Sequence, residues 1–199
     1  MIGLLVDAER AAPSLLGCRL VRSTPAGERI GIIVETEAYL PEDPACHACA
    51  GPTERNAAMF KRAGTAYVYR IHRSYCFNVV TGAEGSGQAV LVRAIEPVLG
   101  VASMQRARQR ATVGSTRPHG VALTNGPGKL CQALDIDLDL DGVNLIAEAD
   151  RLVCASLRLL PRDTPAPIVE RTARIGISKA RELPLRFVIR GNRWLSQST

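Results

Sequence analysis

A chain of 199 residues with 46% hydrophobic content can bury a core as one domain, residues 1–199. Its longest apolar runs, such as residues 30–34 and 89–92, fall far short of the roughly 20 residues that a membrane span needs. Twenty-five basic residues against 19 acidic ones give a net charge of +6, and only Lys61, Lys129 and Lys179 of the 25 are lysine. Guanidinium binds phosphate bidentately and stacks on bases, so this balance suits a polyphosphate partner, and it equally suits a genome that writes Arg for Lys.

Taken in chain order, residues 1–7 lack a basic n-region and their apolar run stops at Asp7, so neither a signal peptide nor a membrane anchor is expected. Residues 8–17 read as a short helix closed by Gly17, with Pro13 interrupting its first turns. Residues 18–23 and 30–39 read as a hairpin about the turn residues Pro25, Ala26 and Gly27. Residues 41–53 carry three prolines and no periodicity, which predicts a long loop with a role of its own. A helical turn over 56–62, strands over 65–71 and 75–80, a glycine-punctuated loop and a strand over 89–95 come next. An Arg-rich helix spans 100–110 and a second covers 130–134. The tail predicts short strands at 143–147, 151–157 and 186–190. Few connections have the helical length that a parallel sheet requires, so a largely antiparallel α+β fold follows. The cysteines at 18, 46, 49, 76, 131 and 154 are scattered through a chain too long to need stapling, which fits reduced thiols in a cytoplasm.

Four features carry chemistry. Glu35, Glu37 and Tyr39 share one face of their strand, with Val34, Thr36 and Ala38 on the other. Buried unpaired carboxylates are costly, so such acids either have cationic partners and a chemical task or sit on a strand leaving the core, solvated. Cys46-His47-Ala48-Cys49 holds three soft ligands in four residues, yet a closed zinc site needs a matching second cluster and Cys76, Cys131 and Cys154 stand alone; no metal is expected. Tyr67, Tyr69 and Tyr75 around His72 hold three of the eight aromatic residues, as half-buried packing or as a binding platform. Thr124-Asn125-Gly126-Pro127-Gly128-Lys129 opens a helix with small residues and a cation, a terminus suited to phosphate, without the frame of a nucleotide-binding loop.

The order of Ile33-Val34-Glu35-Thr36-Glu37-Ala38-Tyr39, His47, Arg55-Asn56, Met59-Phe60, Tyr67-Val68-Tyr69, Cys76-Phe77-Asn78, Leu91-Val92-Arg93-Ala94-Ile95-Glu96-Pro97, Gly126-Pro127-Gly128-Lys129-Leu130-Cys131-Gln132-Ala133-Leu134 and Pro184-Leu185-Arg186-Phe187 resembles the alkyladenine (3-methyladenine) DNA glycosylase family, from about residue 15 to 194. The resemblance implies a single mixed α+β domain around a curved, partly open antiparallel β-barrel, like the C-terminal domain of formyltransferases. It implies a cytoplasmic, nucleoid-associated monomer that excises alkylated and deaminated purines from double-stranded DNA by base flipping, without metal or cofactor. Glu37 matches the catalytic carboxylate, a general base on water, and Arg93 matches the residue that holds that water and keeps Glu37 ionised by lowering its pKa. Tyr39, His47 and Tyr69 match the stacking walls, Asn78 matches the residue that crowds a guanine 2-amino group, and Ile177 supplies a backbone carbonyl to the water. His47 or a water is the proton source for hypoxanthine. His72 replaces the family's bulky wedge in a segment one residue short, with Ile71 as the second choice, and Arg55, Arg73 and Lys129 meet DNA phosphates. No lysine stands in the Glu37 or Tyr69 blocks, so no lyase step is expected. A binding module that has lost turnover, and an RNA- or phosphate-binding domain of the formyltransferase type, are the other readings.

Overall fold

The computed structural model describes residues 2–111, 118–146 and 156–197. Its spine is a curled antiparallel sheet, a mixed α+β arrangement in which helices cover one face. After helix α1 (Ala8–Leu15) come β1 (Arg19–Thr24) and β2 (Gly27–Tyr39), joined by a two-residue turn at Pro25-Ala26; β3 (Ala66–Ile71), β4 (Ser74–Thr81) and β5 (Gln88–Leu99) follow. Helices α2 (Val101–Ala111) and α3 (Pro127–Leu134) precede β6 (Leu157–Leu160), β7 (Val169–Thr172) and β8 (Arg186–Ile189). The sheet runs β3-β4-β5-β2-β1-β6, and β8 joins β2 on one side and β7 on the other.

The 13 residues of β2 explain the curl. Its first half pairs with β1 through Gly27–Ile32, and from Glu35 to Glu37 its partner on that side is β8. A strand that changes neighbours halfway must twist and bend the sheet around itself. The bend coincides with an irregularity against β5: Ile33 faces Ile95, Glu35 faces Ala94 and Thr36 faces Val92, so Val34 and Arg93 have no partner in this ladder.

Strand alternation sorts the side chains. Val68, Phe77, Val79, Val90, Val92 and Ala38 join Ala8, Ala11, Ala12 and Leu15 of α1 and Leu130, Cys131 and Leu134 of α3 in the main core. Thr36 belongs to that face too, and its hydroxyl donates to the Ala12 carbonyl at 3.0 Å, which ties β2 to α1. The opposite face carries Tyr67, Tyr69, Asn78, Leu91, Glu37 and Tyr39. Tyr67, Val80 and Ala89 there form a second, smaller cluster with Cys46, Ala48, Ala58 and Met59 from the loop and the 3₁₀ turn Glu54–Phe60. Asn56 holds the long loop shut: its Nδ2 donates to the carbonyls of His47 and Gly51, and Thr53 caps the turn.

The elements expected from sequence recur with boundary shifts of a few residues, and the tail differs most. Only an isolated bridge between Thr65 and Asn144 stands where a strand over 143–147 was expected, residue 147 lying outside the described residues. The strand expected over 151–157 begins at Leu157, residues 151–155 and with them Cys154 lying outside the described residues, and β7 carried no strand signal. Among the described residues no helix is long and apolar enough to cross a membrane.

Candidate active site

One cross-strand row organises the inner face: Arg186 of β8 faces Glu37 of β2, Glu37 faces Leu91 of β5, Leu91 faces Asn78 of β4, and Asn78 faces Tyr67 of β3. Arg93 lies two residues beyond Leu91 and so reaches Glu37 diagonally. Glu35 and Glu37 are both wholly buried, so the alternative of solvated acids at a strand end is excluded.

Glu37 is held from three directions. Its Oε1 accepts from the backbone N–H of Ile175 at 2.8 Å and lies 3.3 Å from Arg93 Nη1; its Oε2 accepts from the Tyr39 hydroxyl at 2.9 Å. Arg93 donates through Nε to Glu35 at 2.9 Å and through Nη1 to the Ile175 carbonyl at 3.2 Å. Glu35 also accepts from Arg186 Nε at 2.8 Å and from both the backbone N–H and the hydroxyl of Ser196.

The two acids are driven in opposite directions. Burial pushes the Glu37 carboxyl above the usual carboxylate range, and the pull of Arg93, the Ile175 N–H and the Tyr39 hydroxyl does not cancel it, while the charge of Glu35 adds to the rise. The expectation that Arg93 would leave Glu37 with a lowered pKa is therefore corrected: Arg93 acts in that sense, and desolvation outweighs it. Burial also opposes ionisation of Glu35, yet hydrogen bonds from Arg186 and Ser196 and the charge of Arg93 bring it below the usual range. Burial and the neighbouring Glu37 push the Tyr39 phenol up, so it stays a donor.

Tyr39, bonded to Glu37, lines a cleft of about 230 Å³ together with His47, Arg55, Met59, Tyr67, Tyr69, Asn78, Gly176 and Ile177, with Arg70 and Ile71 also in its lining. The aromatic grouping forms around His47 and not, as expected, around His72. His47 sits edge-on to Tyr69 with centroids 4.5 Å apart, and its Nδ1 is 2.8 Å from the Tyr67 hydroxyl. Burial against these rings and the charge of Arg55 lower the His47 pKa, which favours the neutral imidazole. Tyr75 packs against the main core instead. Asn78 Nδ2 donates to the Tyr67 carbonyl at 3.0 Å, which fixes the amide in the cleft wall.

Other expected positions fall around or away from the cleft. Ile177 is in its wall, but the backbone that touches Glu37 and Arg93 is Ile175, two residues earlier. His72 stands exposed in the two-residue turn between β3 and β4 with φ +49°, outside the lining, and its neighbour Ile71 is the exposed apolar side chain at the cleft. Arg55 is exposed and donates to the Arg70 carbonyl, and Arg73 is exposed in the hairpin turn. Lys129 is in the first turn of α3, with Nζ 2.8 Å from Asn125 Oδ1. Cys46 is buried, with its thiol pushed up to about 11 by burial, and Cys49 is exposed. Among the described residues no three His, Cys, Asp or Glu side chains converge as metal ligands would.

Arg174, Asp43, Arg186 and Ser196 were not foreseen. Arg174 and Asp43 form a buried pair, and the Arg174 guanidinium lies 4.7 Å from the centroid of the Tyr39 ring. Arg186 gave the same signal as Arg93, a lone guanidinium inside an apolar strand, which only a buried acid can accommodate. Ser196 gave none.

An acid buried between a guanidinium and a phenol that lines an aromatic cleft, on a basic protein, is an arrangement from which catalytic sites are built. The chain belongs to the methylpurine-DNA glycosylase family, whose model matches residues 4–193, and it is a DNA glycosylase. Relatives provisionally named 3-methyladenine DNA glycosylase are similar over nearly its full length. One from Methanoculleus marisnigri is 48% identical over 96% of this chain and 94% of its own. One from Rhodopirellula baltica is 46% identical over 93% and 77%, and one from Francisella tularensis subsp. tularensis is 42% identical over 94% and 92%.

Proposed function

We propose that this chain is a monofunctional glycosylase of base excision repair that removes alkylated and deaminated purines, 3-methyladenine and hypoxanthine among them, from double-stranded DNA. It acts as a single-domain monomer, turning the damaged nucleotide out of the duplex and hydrolysing its N-glycosidic bond. The observation that carries this reading is the Glu37–Arg93 contact at 3.3 Å behind a cleft lined by Tyr39, His47, Tyr69 and Asn78.

Glu37 is the general base on a water aimed at the sugar C1′, and its raised pKa suits that task, since a base works best when its pKa approaches the working pH. Charge on the substrate then helps it ionise: the cationic base and the oxocarbenium-like sugar both favour the carboxylate. Arg93 and the Ile175 backbone orient the carboxylate. An N3- or N7-alkylated purine is cationic and is drawn to the faces of the aromatic walls, and a neutral His47 does not repel it. For hypoxanthine, which needs a proton, a neutral His47 supports a water as the source over imidazolium. Asn78, immobilised by Tyr67, crowds the 2-amino group of guanine. Among the described residues no lysine lines the cleft, which supports simple hydrolysis over a lyase step. Arg55, Arg73 and Lys129 contact phosphates.

The test is release of free base from a methylated duplex and from a hypoxanthine duplex by purified protein, with Glu37→Gln alongside. Release should fall at least about 100-fold in the variant. A protein that frees neither base, or a variant as active as its parent, refutes the reading.

A further inference from the structure

Glu35 and Glu37 are both wholly buried, and it is Glu37 that is joined to the cleft lining, through the Tyr39 hydroxyl. Glu35 accepts four hydrogen bonds: from Arg93 Nε at 2.9 Å, Arg186 Nε at 2.8 Å, the Ser196 hydroxyl at 2.7 Å and the Ser196 backbone N–H at 2.6 Å. The carbonyl of the next residue, Gln197, accepts from Arg186 Nη2 at 2.7 Å, so the segment beyond β8 is pinned twice. Arg93 is pinned as well, with Nη2 3.3 Å from the Ser196 hydroxyl oxygen. Its Nε and Nη2 are thus both spoken for, and only Nη1 is turned toward Glu37.

A guanidinium without those anchors meets a lone carboxylate as a two-pronged fork, one N–H to each oxygen. In that pose the fork, the Ile175 N–H and the Tyr39 hydroxyl would together fill the four lone-pair positions of the Glu37 carboxylate, and none would remain for a nucleophile. We infer that Glu35, latched by Ser196 and Arg186, is a positioning residue that holds Arg93 end-on to Glu37 Oε1 and so keeps one lone pair of Oε2, beside the Tyr39 hydroxyl, available to the attacking water. The inference rests on the catalytic role proposed above for Glu37.

The groups facing Glu37 are Glu35 and Tyr39 on β2, Arg93 on β5, Cys76 on β4, Arg186 on β8 and Arg174 in the segment between β7 and β8. Loss of the Glu35 charge, or a swing of Arg93 into the fork, makes Glu37 easier to ionise and moves the acid limb of the rate profile to lower pH. A purely structural residue would lower the amount of folded protein and leave that limb in place.

The experiment compares the parent protein with Glu35→Gln, Ser196→Ala and Glu37→Gln, measuring kcat and KM for 3-methyladenine release from a methylated duplex between pH 4.5 and 9. Ser196→Ala should lose about threefold to tenfold in kcat and Glu35→Gln about tenfold or more, with KM within about twofold and the acid limb moved to lower pH in both. A limb that stays in place, or a loss confined to KM, overturns the positioning role. If Glu35→Gln does not fold, the mild Ser196→Ala decides by the same two readouts. Parent-like activity in Glu37→Gln would instead refute the catalytic reading, whereas an inactive Glu37→Gln beside an unmoved limb in Ser196→Ala refutes the positioning role alone.

Discussion

Replacing Arg174 by methionine probes how the wall behind Tyr39 is held. The Arg174 side chain has 0% exposure and that of Asp43 2%. Their contact is bidentate, through Nη1 to Oδ2 and Nη2 to Oδ1, and the same guanidinium donates to the carbonyls of Ala38 at 3.0 Å and Ala180 at 3.3 Å. Methionine keeps much of the volume but leaves Asp43 as a buried charge whose remaining partner is the Ala45 N–H at 2.9 Å. Breaking one side of a buried ion pair costs about 3–5 kcal/mol. The lost stacking on Tyr39 adds about 0.5–2 kcal/mol. At about 2–4 °C per kcal/mol for a chain of this size, Tm should fall on the order of 10–20 °C. Urea unfolding should report a loss of about 3.5–7 kcal/mol. The double variant Arg174→Met, Asp43→Leu removes both charges and should recover more than half of that loss. A single variant that loses less than about 1 kcal/mol, or a double variant no more stable than the single, would refute the reasoning.

The remaining predictions concern catalysis, backbone and DNA. Under the base role proposed for Glu37 the carboxyl must be ionised, and burial raises its pKa above 4.5, so the single-turnover rate should rise with pH along a limb whose midpoint lies above that value; a rate flat down to pH 4.5 contradicts this. Gly100 has φ +76°, and a Cβ there would lie 2.5 Å from the Glu28 carbonyl oxygen, so Gly100→Ala should cost about 2–4 kcal/mol in urea unfolding, and unchanged stability would dismiss the clash. Arg55→Ala should reduce the slope of log affinity against log salt by about 1, and an unaltered slope removes Arg55 from the phosphate contacts. With a fluorescent base in the duplex, Ile71→Ala should weaken the flipping signal more than His72→Ala, since Ile71 borders the cleft; the reverse order would return the wedge to His72.

The inner face was legible because alternation is local. Glu35, Glu37 and Tyr39 announce a shared face, and the bounds of β3, β4 and β5 were read within a few residues. The pairing of β2 with β8 joins residues some 150 positions apart in the chain, and no local pattern encodes it. That is why Arg186 and Ser196 were missed as partners of Glu35. The sign of the Glu37 shift failed for a related reason: a charge partner can be named from a motif, but desolvation depends on everything packed around the carboxyl. His72 drew attention through sequence proximity to Tyr67, Tyr69 and Tyr75, whereas the side chain that meets Tyr67 and Tyr69 comes from a loop 20 residues upstream.

The acid-bearing half of β2 has hydrogen-bonded neighbours on both sides, β5 and β8, so neither carboxylate rides on an exposed edge. Successive amides there bond to one neighbour or the other, so complete deuterium uptake over residues 35–37 requires both ladders to open, and this stretch should exchange more slowly than an edge strand. The loop that carries His47 lies outside both ladders and is held by side chains of Asn56 and Arg174, so under the proposed function substitutions in that loop should change the preference among lesions before they disturb the Glu37–Arg93 contact.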